Sequence, residues 1–231
     1  MGAKKYLIVT AGGSGTRMGG PLPKQFLTLG GEAILQRTIS LFTQAVPEIR
    51  VITVLPQEHI SWWEKYCQTH PYHQSQRIVK GGFTRFHSVQ NALQVLPDDA
   101  IVAVHDAVRP LLSVDLIRHL FELMETERAV IPVILSIDTL KLLDKIDGKL
   151  TEAPEALDRS RVWGAQTPQL FHSEDLKAAY TQAYSTLFTD DASVASQYGI
   201  PLTFVEGERL NLKITTPEDL RIAEAILSLS S

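Results

Sequence analysis

The chain has 231 residues, 44% of them hydrophobic and 21% charged, with a formal net charge of −4. That is enough apolar material for a full core and argues against global disorder, while the acidic balance argues against a nucleic-acid coat or a polybasic membrane anchor. The single cysteine, Cys67, excludes an internal disulfide and a cysteine-based zinc site and points to a reducing, cytoplasmic setting.

Taken in chain order, Tyr6-Leu-Ile-Val-Thr10 reads as a buried strand. It is too short for a signal peptide, and no window approaches the roughly 18 apolar residues that a membrane span needs. Apolar periodicity predicts a helix over 33–45, a strand over 49–55, a helix over 58–69, and a strand over 77–80 that ends at Gly81-Gly82. A helix over 84–96, a strand over 100–104, a helix over 114–126 and a strand over 129–134 follow. This alternation predicts an α/β fold: a three-layer, Rossmann-like arrangement around a mainly parallel sheet. Such sheets bind ligands beyond the carboxyl ends of their strands.

Residues 138–161 break the alternation. Two short strand-like runs flank Asp144-Lys-Ile-Asp-Gly148, which reads as a hairpin with Asp147-Gly148 in its turn. A two-stranded arm is barely stable alone, so it needs another surface, and a second copy of the chain is the simplest one. The expectation is one domain over 1–231, with 138–161 as a dimerisation arm. Beyond it, 166–171 is extended, 173–185 helical with Ser173 as cap, and 189–198 helical. Residues 202–205 and 210–214 read as strands. Residues 217–229 read as a helix capped by Thr216, with Glu218 and Asp219 in its first turn.

The chemistry gathers at strand ends. Ala11-Gly-Gly-Ser-Gly-Thr-Arg-Met-Gly-Gly-Pro-Leu-Pro-Lys24 follows the first strand directly. Gly12, Gly13 and Gly15 let the backbone turn tightly and bring bare N–H groups to an anion, and Arg17 and Lys24 add two cations. The stretch lacks both the Walker pattern and the third glycine of the dinucleotide fingerprint. It reads as a polyphosphate cradle. Asp106 and Arg109, in His105-Asp-Ala-Val-Arg-Pro110, sit at the same rim. Asp106 can hold a divalent cation that bridges phosphates, and Arg109 can grip a phosphate bidentately. The plain alternative is a turn-capping Asp and a structural salt bridge. His105 reads as structural.

Lys213, in a predicted strand with Leu212 and Ile214 on the other face, needs an anion, which a phosphate or a carboxylate would supply. Gly81-Gly82-Phe-Thr-Arg85-Phe-His-Ser88 runs from a turn into a helix. Its backbone could read a base edge, with Ser88 as a contact, while Arg85 could equally be a surface charge. Thr167 and Thr189 offer hydroxyls to a phosphate or polyol, and Arg159 could bring a cation from the arm.

Together, Ala11 to Met18, Pro23-Lys-Gln25, Gly81-Gly82, His105 to Pro110, Gln166-Thr-Pro-Gln169, Thr189-Asp190 and Lys213 to Leu220 resemble the cytidylyltransferases of the methylerythritol phosphate route to isoprenoids. The motifs run in order from residue 6 to about 224. The resemblance implies transfer of CMP from CTP to 2-C-methyl-D-erythritol 4-phosphate with Mg²⁺ and release of pyrophosphate, in a homodimer joined through the arm. It places Ala11, Gly12, Gly13 and Gly15 in the nucleotide loop and Gly82 and Ser88 near cytosine and ribose. Arg17, Lys24 and Lys213 surround the triphosphate. Asp106, Arg109, Thr167 and Lys213 face the acceptor, with Arg159 and Thr189 helping, some across the dimer.

The chain departs from the common pattern twice. Its loop begins Thr10-Ala11-Gly12-Gly13 where many relatives have Pro-Ala-Ala-Gly, and Phe83 stands where many carry an acidic residue. Both departures leave open cytidylyl transfer to ribitol 5-phosphate. A non-catalytic nucleotide-binding module is the alternative from another class.

Overall fold

The computed structural model describes residues 3–12, 22–72, 74–153 and 157–229. The first half carries β1 (Lys4–Thr10), a small ribbon of β2 (Thr28–Leu29) and β3 (Glu32–Ala33), α1 (Ile34–Ala45), β4 (Arg50–Leu55), α2 (Gln57–Thr69), β5 (Gln76–Lys80), α3 (Arg85–Leu93) and β6 (Ala100–Asp106). The second half carries α4 (Val114–Leu123), β7 (Ala129–Leu135), β8 (Leu143–Ile146), β9 (Lys149–Glu152), β10 (Trp163–Ala165), β11 (Gln169–His172), α5 (Ser173–Ala179), α6 (Asp191–Tyr198), β12 (Thr203–Glu206) and α7 (Pro217–Leu229).

Among the described residues, eight strands form one sheet in the order β10-β7-β11-β6-β1-β4-β5, with β12 alongside β7. β1 pairs in parallel with β4 and β6, β4 with β5, and β12 with β7. β11 runs antiparallel to β6 and β7. The α/β expectation therefore holds, with an antiparallel strand inside a mainly parallel sheet.

The continuous apolar run of β1 follows from burial on both faces. Leu7 and Val9 join a core with α1, α4 and Trp63 of α2, while Tyr6 and Ile8 join a second core with α3, α5 and α6. The two faces are the two interlayer cores of a three-layer fold. A third cluster, Leu29, Ile34, Val108, Ile214 and Ala223, ties α7 to the loop after β6.

The hairpin forms as expected. β8 pairs antiparallel with β9, and Asp147 (φ 49°) and Gly148 (φ 79°) both take the left-handed backbone that a two-residue turn requires. Every residue of β8 and β9 is exposed.

Three expectations change. Residues 210–214 form no strand: Asn211 and Leu212 bond back to Glu208 and Leu210, and Ile214 N–H reaches the Val108 carbonyl in a loop. Those local bonds replace a ladder. Ser173 is not a cap but the first residue of α5. Its hydroxyl accepts from Ala100 N at 3.1 Å, and α5 ends at Ala179 rather than near 185. β10, which lies antiparallel to β7, was not anticipated, because Trp163-Gly-Ala165 is too short to show a period. Among the described residues, no helix is long and apolar enough to cross a membrane.

Candidate active site

β1, β4, β5 and β6 end on one rim, and a cleft of about 320 Å³ opens there. Its floor is the chain leaving β1: Ala11 N–H bonds the Val54 carbonyl, and Ala107 N–H bonds the Thr10 carbonyl. Ala11 and Gly12 line the cleft. The glycine loop continues in sequence through Gly13, Gly15 and Arg17, which lie outside the described residues.

Lys24 is aimed by its neighbours. Pro23 enters a short 3₁₀ turn, Lys24–Phe26. Gln25 is buried and donates to the Ala11 carbonyl at 2.8 Å. Phe26 is buried against Trp62 and Trp63, with ring centroids 4.3 and 6.0 Å away. With those two side chains anchored inward, Lys24 lines the cleft, and its ammonium donates to the Ile214 carbonyl at 3.1 Å.

Lys213 reaches the same cleft from the far end of the chain. Ile214, fully buried, and the Ile214–Val108 backbone bond fix the segment, so Lys213 turns away from the core. Its Nζ lies 2.9 Å from Asp106 Oδ2. The anion that the sequence demanded is, in this state, a carboxylate.

Asp106 is the electrostatic centre of the site. Arg85 Nε lies 3.7 Å from Oδ1 and Arg109 Nε 3.4 Å from Oδ2, while the Asp106 N–H donates to Thr167 Oγ1 at 3.1 Å. Burial alone would raise this carboxyl, but Arg85, then Lys213 and Arg109, hold it well below the usual carboxylate range. Arg85 continues to Asp191, which is fully buried and also accepts from the Tyr180 hydroxyl at 2.6 Å. Burial works against the Arg85 charge, yet Asp191 and Asp106 outweigh it and raise its pKa. For Arg109 the balance falls the other way: burial prevails over the pull of Asp106 and lowers it.

Behind Asp106, His105 is fully buried. Its Nε2 lies 3.2 Å from the Arg109 carbonyl and its Nδ1 3.0 Å from Thr167 Oγ1. Burial pushes its pKa down to about 4, so it stays neutral, in keeping with a structural role.

Gly82 and Ser88 also border the cleft. Gly82 N–H donates to Ser88 Oγ at 3.0 Å, and that hydroxyl donates to the Thr84 carbonyl at 2.9 Å. A Cβ on Gly82 would lie 2.4 Å from His87 Cβ, so only glycine fits against the start of α3.

The structure thus brings together Ala11, Gly12, Lys24, Gly82, Ser88, Asp106 and Lys213. Arg109 and Thr167 stand one step behind. Arg109 is tied to Asp106 and to the Asn211 carbonyl at 2.8 Å, and the Thr167 hydroxyl is engaged with Asp106 and His105. Arg159, in the 3₁₀ turn Arg159–Arg161, and Thr189, just before α6, are exposed and do not line this cleft.

Sequence reasoning missed Asp191 and left Arg85 as a possible surface charge, because nothing in the local pattern couples positions on α3 and α6. The role of Gln25 was foreshadowed only by its place in Pro23-Lys-Gln25. Among the described residues, no group of three or more His, Cys, Asp or Glu side chains is placed to hold a metal ion. Asp106, ringed by cations, is a poor resident ligand for a divalent metal.

The family described as "IspD: 2-C-methyl-D-erythritol 4-phosphate cytidylyltransferase" matches residues 6–229. A Bacteroides thetaiotaomicron protein named 2-C-methyl-D-erythritol 4-phosphate cytidylyltransferase is 43% identical over 225 residues, covering 97% of this chain and 100% of that protein. The crystal structure of the Francisella tularensis protein of that name superimposes with a TM-score of 0.78 at 32% identity, covering 96% of this chain and 99% of the other. The Anaerococcus prevotii 4-diphosphocytidyl-2C-methyl-D-erythritol synthase gives a TM-score of 0.79 at 28% identity, covering 99% and 100%.

Proposed function

We propose a division of labour for this site from one premise: the chain belongs to the 2-C-methyl-D-erythritol 4-phosphate cytidylyltransferase family. It is a transferase that moves CMP from CTP to 2-C-methyl-D-erythritol 4-phosphate, with release of pyrophosphate, in isoprenoid precursor biosynthesis. An oxygen of the acceptor phosphate attacks the α-phosphorus of CTP, and the bond to the β-phosphate oxygen breaks. The acceptor is already an anion at neutral pH, so no strong general base is needed. The barrier is repulsion between two anions and the charge that builds on the departing pyrophosphate.

The observation that carries this reading is the convergence of Lys24 and Lys213 on one cleft, with the Lys24 ammonium on the Ile214 carbonyl beside Lys213. Fixed ammonium groups there offset the repulsion without reorganising during the reaction. Arg17, Gly13 and Gly15 are assigned to the triphosphate with Ala11 and Gly12. Gly82 and Ser88 are assigned to the cytidine. Asp106 holds Lys213 until substrate arrives and can accept hydrogen bonds from the polyol hydroxyls. Arg109 and Thr167 hold Asp106 and its loop at the acceptor side.

Mg²⁺ is assigned to the substrate: a divalent cation accompanying CTP would offset the triphosphate charge, and Asp106, the carboxylate of the cleft, is already shared among Arg85, Arg109 and Lys213.

The same reading has the chain act as one domain over 1–231, in the cytoplasm, as a homodimer joined through residues 138–161. What supports the dimer is the arm itself, which exposes Leu143, Ile146 and Leu150 on its two strands and Leu142 just before them. Arg159 and Thr189, exposed in the single chain, are then available to a neighbouring subunit's acceptor. Pyrophosphate release from CTP, measured with 2-C-methyl-D-erythritol 4-phosphate and separately with ribitol 5-phosphate, tests the function. Release with the first acceptor is expected. Release only with ribitol 5-phosphate, or with neither, overturns it.

A further inference from the structure

We propose that Phe83 is the stacking platform for the base of the bound nucleotide, so that this chain grips the base by a π-face. The inference rests on the nucleotidyl-transfer reading above.

Phe83 lines the same cleft as Lys24 and Lys213, yet it is fully exposed at 102% relative accessibility. A benzyl group left in water at the mouth of a polar cleft forgoes the gain that its burial yields. Its place is not loose. Before it, Gly82 is pressed against His87 so closely that no side chain fits. After it, Thr84 caps α3, with its hydroxyl 2.8 Å from His87 Nδ1. The His87 ring meets Phe83 nearly at right angles, 6.5 Å between centroids. The turn therefore presents the ring to the cleft on a rigid base.

The polar groups nearest to it are already engaged. Gly82 N–H is taken by Ser88 Oγ, and the Ser88 hydroxyl proton by the Thr84 carbonyl, which leaves Ser88 one acceptor lone pair. Arg85 turns inward to Asp191 and Asp106. A nucleotide has one polyanionic part, which suits the lysines, and one flat part with an apolar face, which suits Phe83. Base–aromatic stacking tolerates any base, because every base has a π-face. Phe83 accordingly governs how tightly a nucleotide binds more than which base it carries.

The test compares wild type with Phe83→Ala, Phe83→Leu and Phe83→Trp. For Phe83→Ala, KM for CTP is expected to rise about tenfold or more, within what one stacked base supplies, with kcat little changed. Inhibition by inorganic tripolyphosphate, which has no base, is expected to stay the same. Phe83→Trp is expected to restore KM and to show fluorescence quenching by CTP, and Phe83→Leu is expected to remain weak. An unchanged KM in Phe83→Ala, full rescue by Phe83→Leu, or equal weakening of tripolyphosphate overturns the proposal. Calorimetric binding of CTP and tripolyphosphate to wild type and Phe83→Ala reads the stacking separately from turnover. If wild type releases no pyrophosphate, the functional reading fails, while a loss confined to CTP still upholds the platform.

Discussion

Lys213 Nζ sits 2.9 Å from Asp106 Oδ2, and this ion pair joins the loop before α7 to the end of β6 at the mouth of the cleft. The carboxylate also faces Arg85 and Arg109, so Lys213 is the member best placed to exchange it for a phosphate: its side chain is 44% exposed, against 30% and 13% for the two arginines. The pair keeps an ammonium in position without burying it.

Lys24→Ala and Lys213→Ala should each lower turnover by at least two orders of magnitude. Loss of one preorganised charge donor costs about 3–4 kcal/mol of barrier. Circular dichroism should show the fold intact, because neither side chain belongs to a core cluster. Near-normal pyrophosphate release in both variants would remove the electrostatic mechanism.

Arg85→Met should destabilise the chain by about 3–5 kcal/mol, since it strands the buried Asp191 carboxylate with the Tyr180 hydroxyl as its remaining side-chain partner among the described residues. Adding Asp191→Leu should recover part of that loss, because the uncompensated charge is then gone. Urea denaturation of both single variants and the double variant gives the coupling. Strict additivity would show that the pair does not act as a unit.

His105 should make stability fall with acid before most carboxylates titrate. Its pKa is lowered from 6.5 to about 4, chiefly by burial. Between those values the unfolded chain binds a proton at this residue and the folded chain does not, so stability drops as pH falls through that window. The full displacement is worth about 3 kcal/mol. Urea midpoints measured from pH 7 to pH 4, without nucleotide, should decline. His105→Asn should flatten the decline even if it lowers the plateau, and an unchanged slope would refute the assignment.

The arm should mediate self-association. Light scattering at micromolar concentration should give a dimer. Ile146→Asp with Leu150→Asp should raise its dissociation constant at least tenfold, about 1.4 kcal/mol, since both side chains are exposed in the single chain. A monodisperse wild-type monomer would dismiss the dimer.

Local patterns were legible wherever one element's own chemistry decides its state. β1 shows as an unbroken apolar run because both its faces are buried, and Pro217, Glu218 and Asp219 mark the start of α7. The hairpin shows because Asp147 and Gly148 tolerate the left-handed backbone. Boundaries that depend on contacts did not show. Ser173 reads as a cap, but its hydroxyl is claimed by Ala100 across the sheet. Residues 210–214 read as a strand, but their backbone partners lie in loops.

By itself the sequence determined the alternation of strands and helices from β1 to β7, the hairpin, the place of the glycine loop directly after the first strand, and the residue types able to meet two phosphates, because periodicity and backbone freedom are properties of short segments. Only the tertiary structure decided that Lys24 and Lys213 share a cleft, that Asp106 is held between three cations, and that Arg85 belongs to a buried chain ending at Asp191. Those pairings join residues far apart in the chain. They are set by which buried charge can find a partner once water is excluded, and a linear pattern does not encode that.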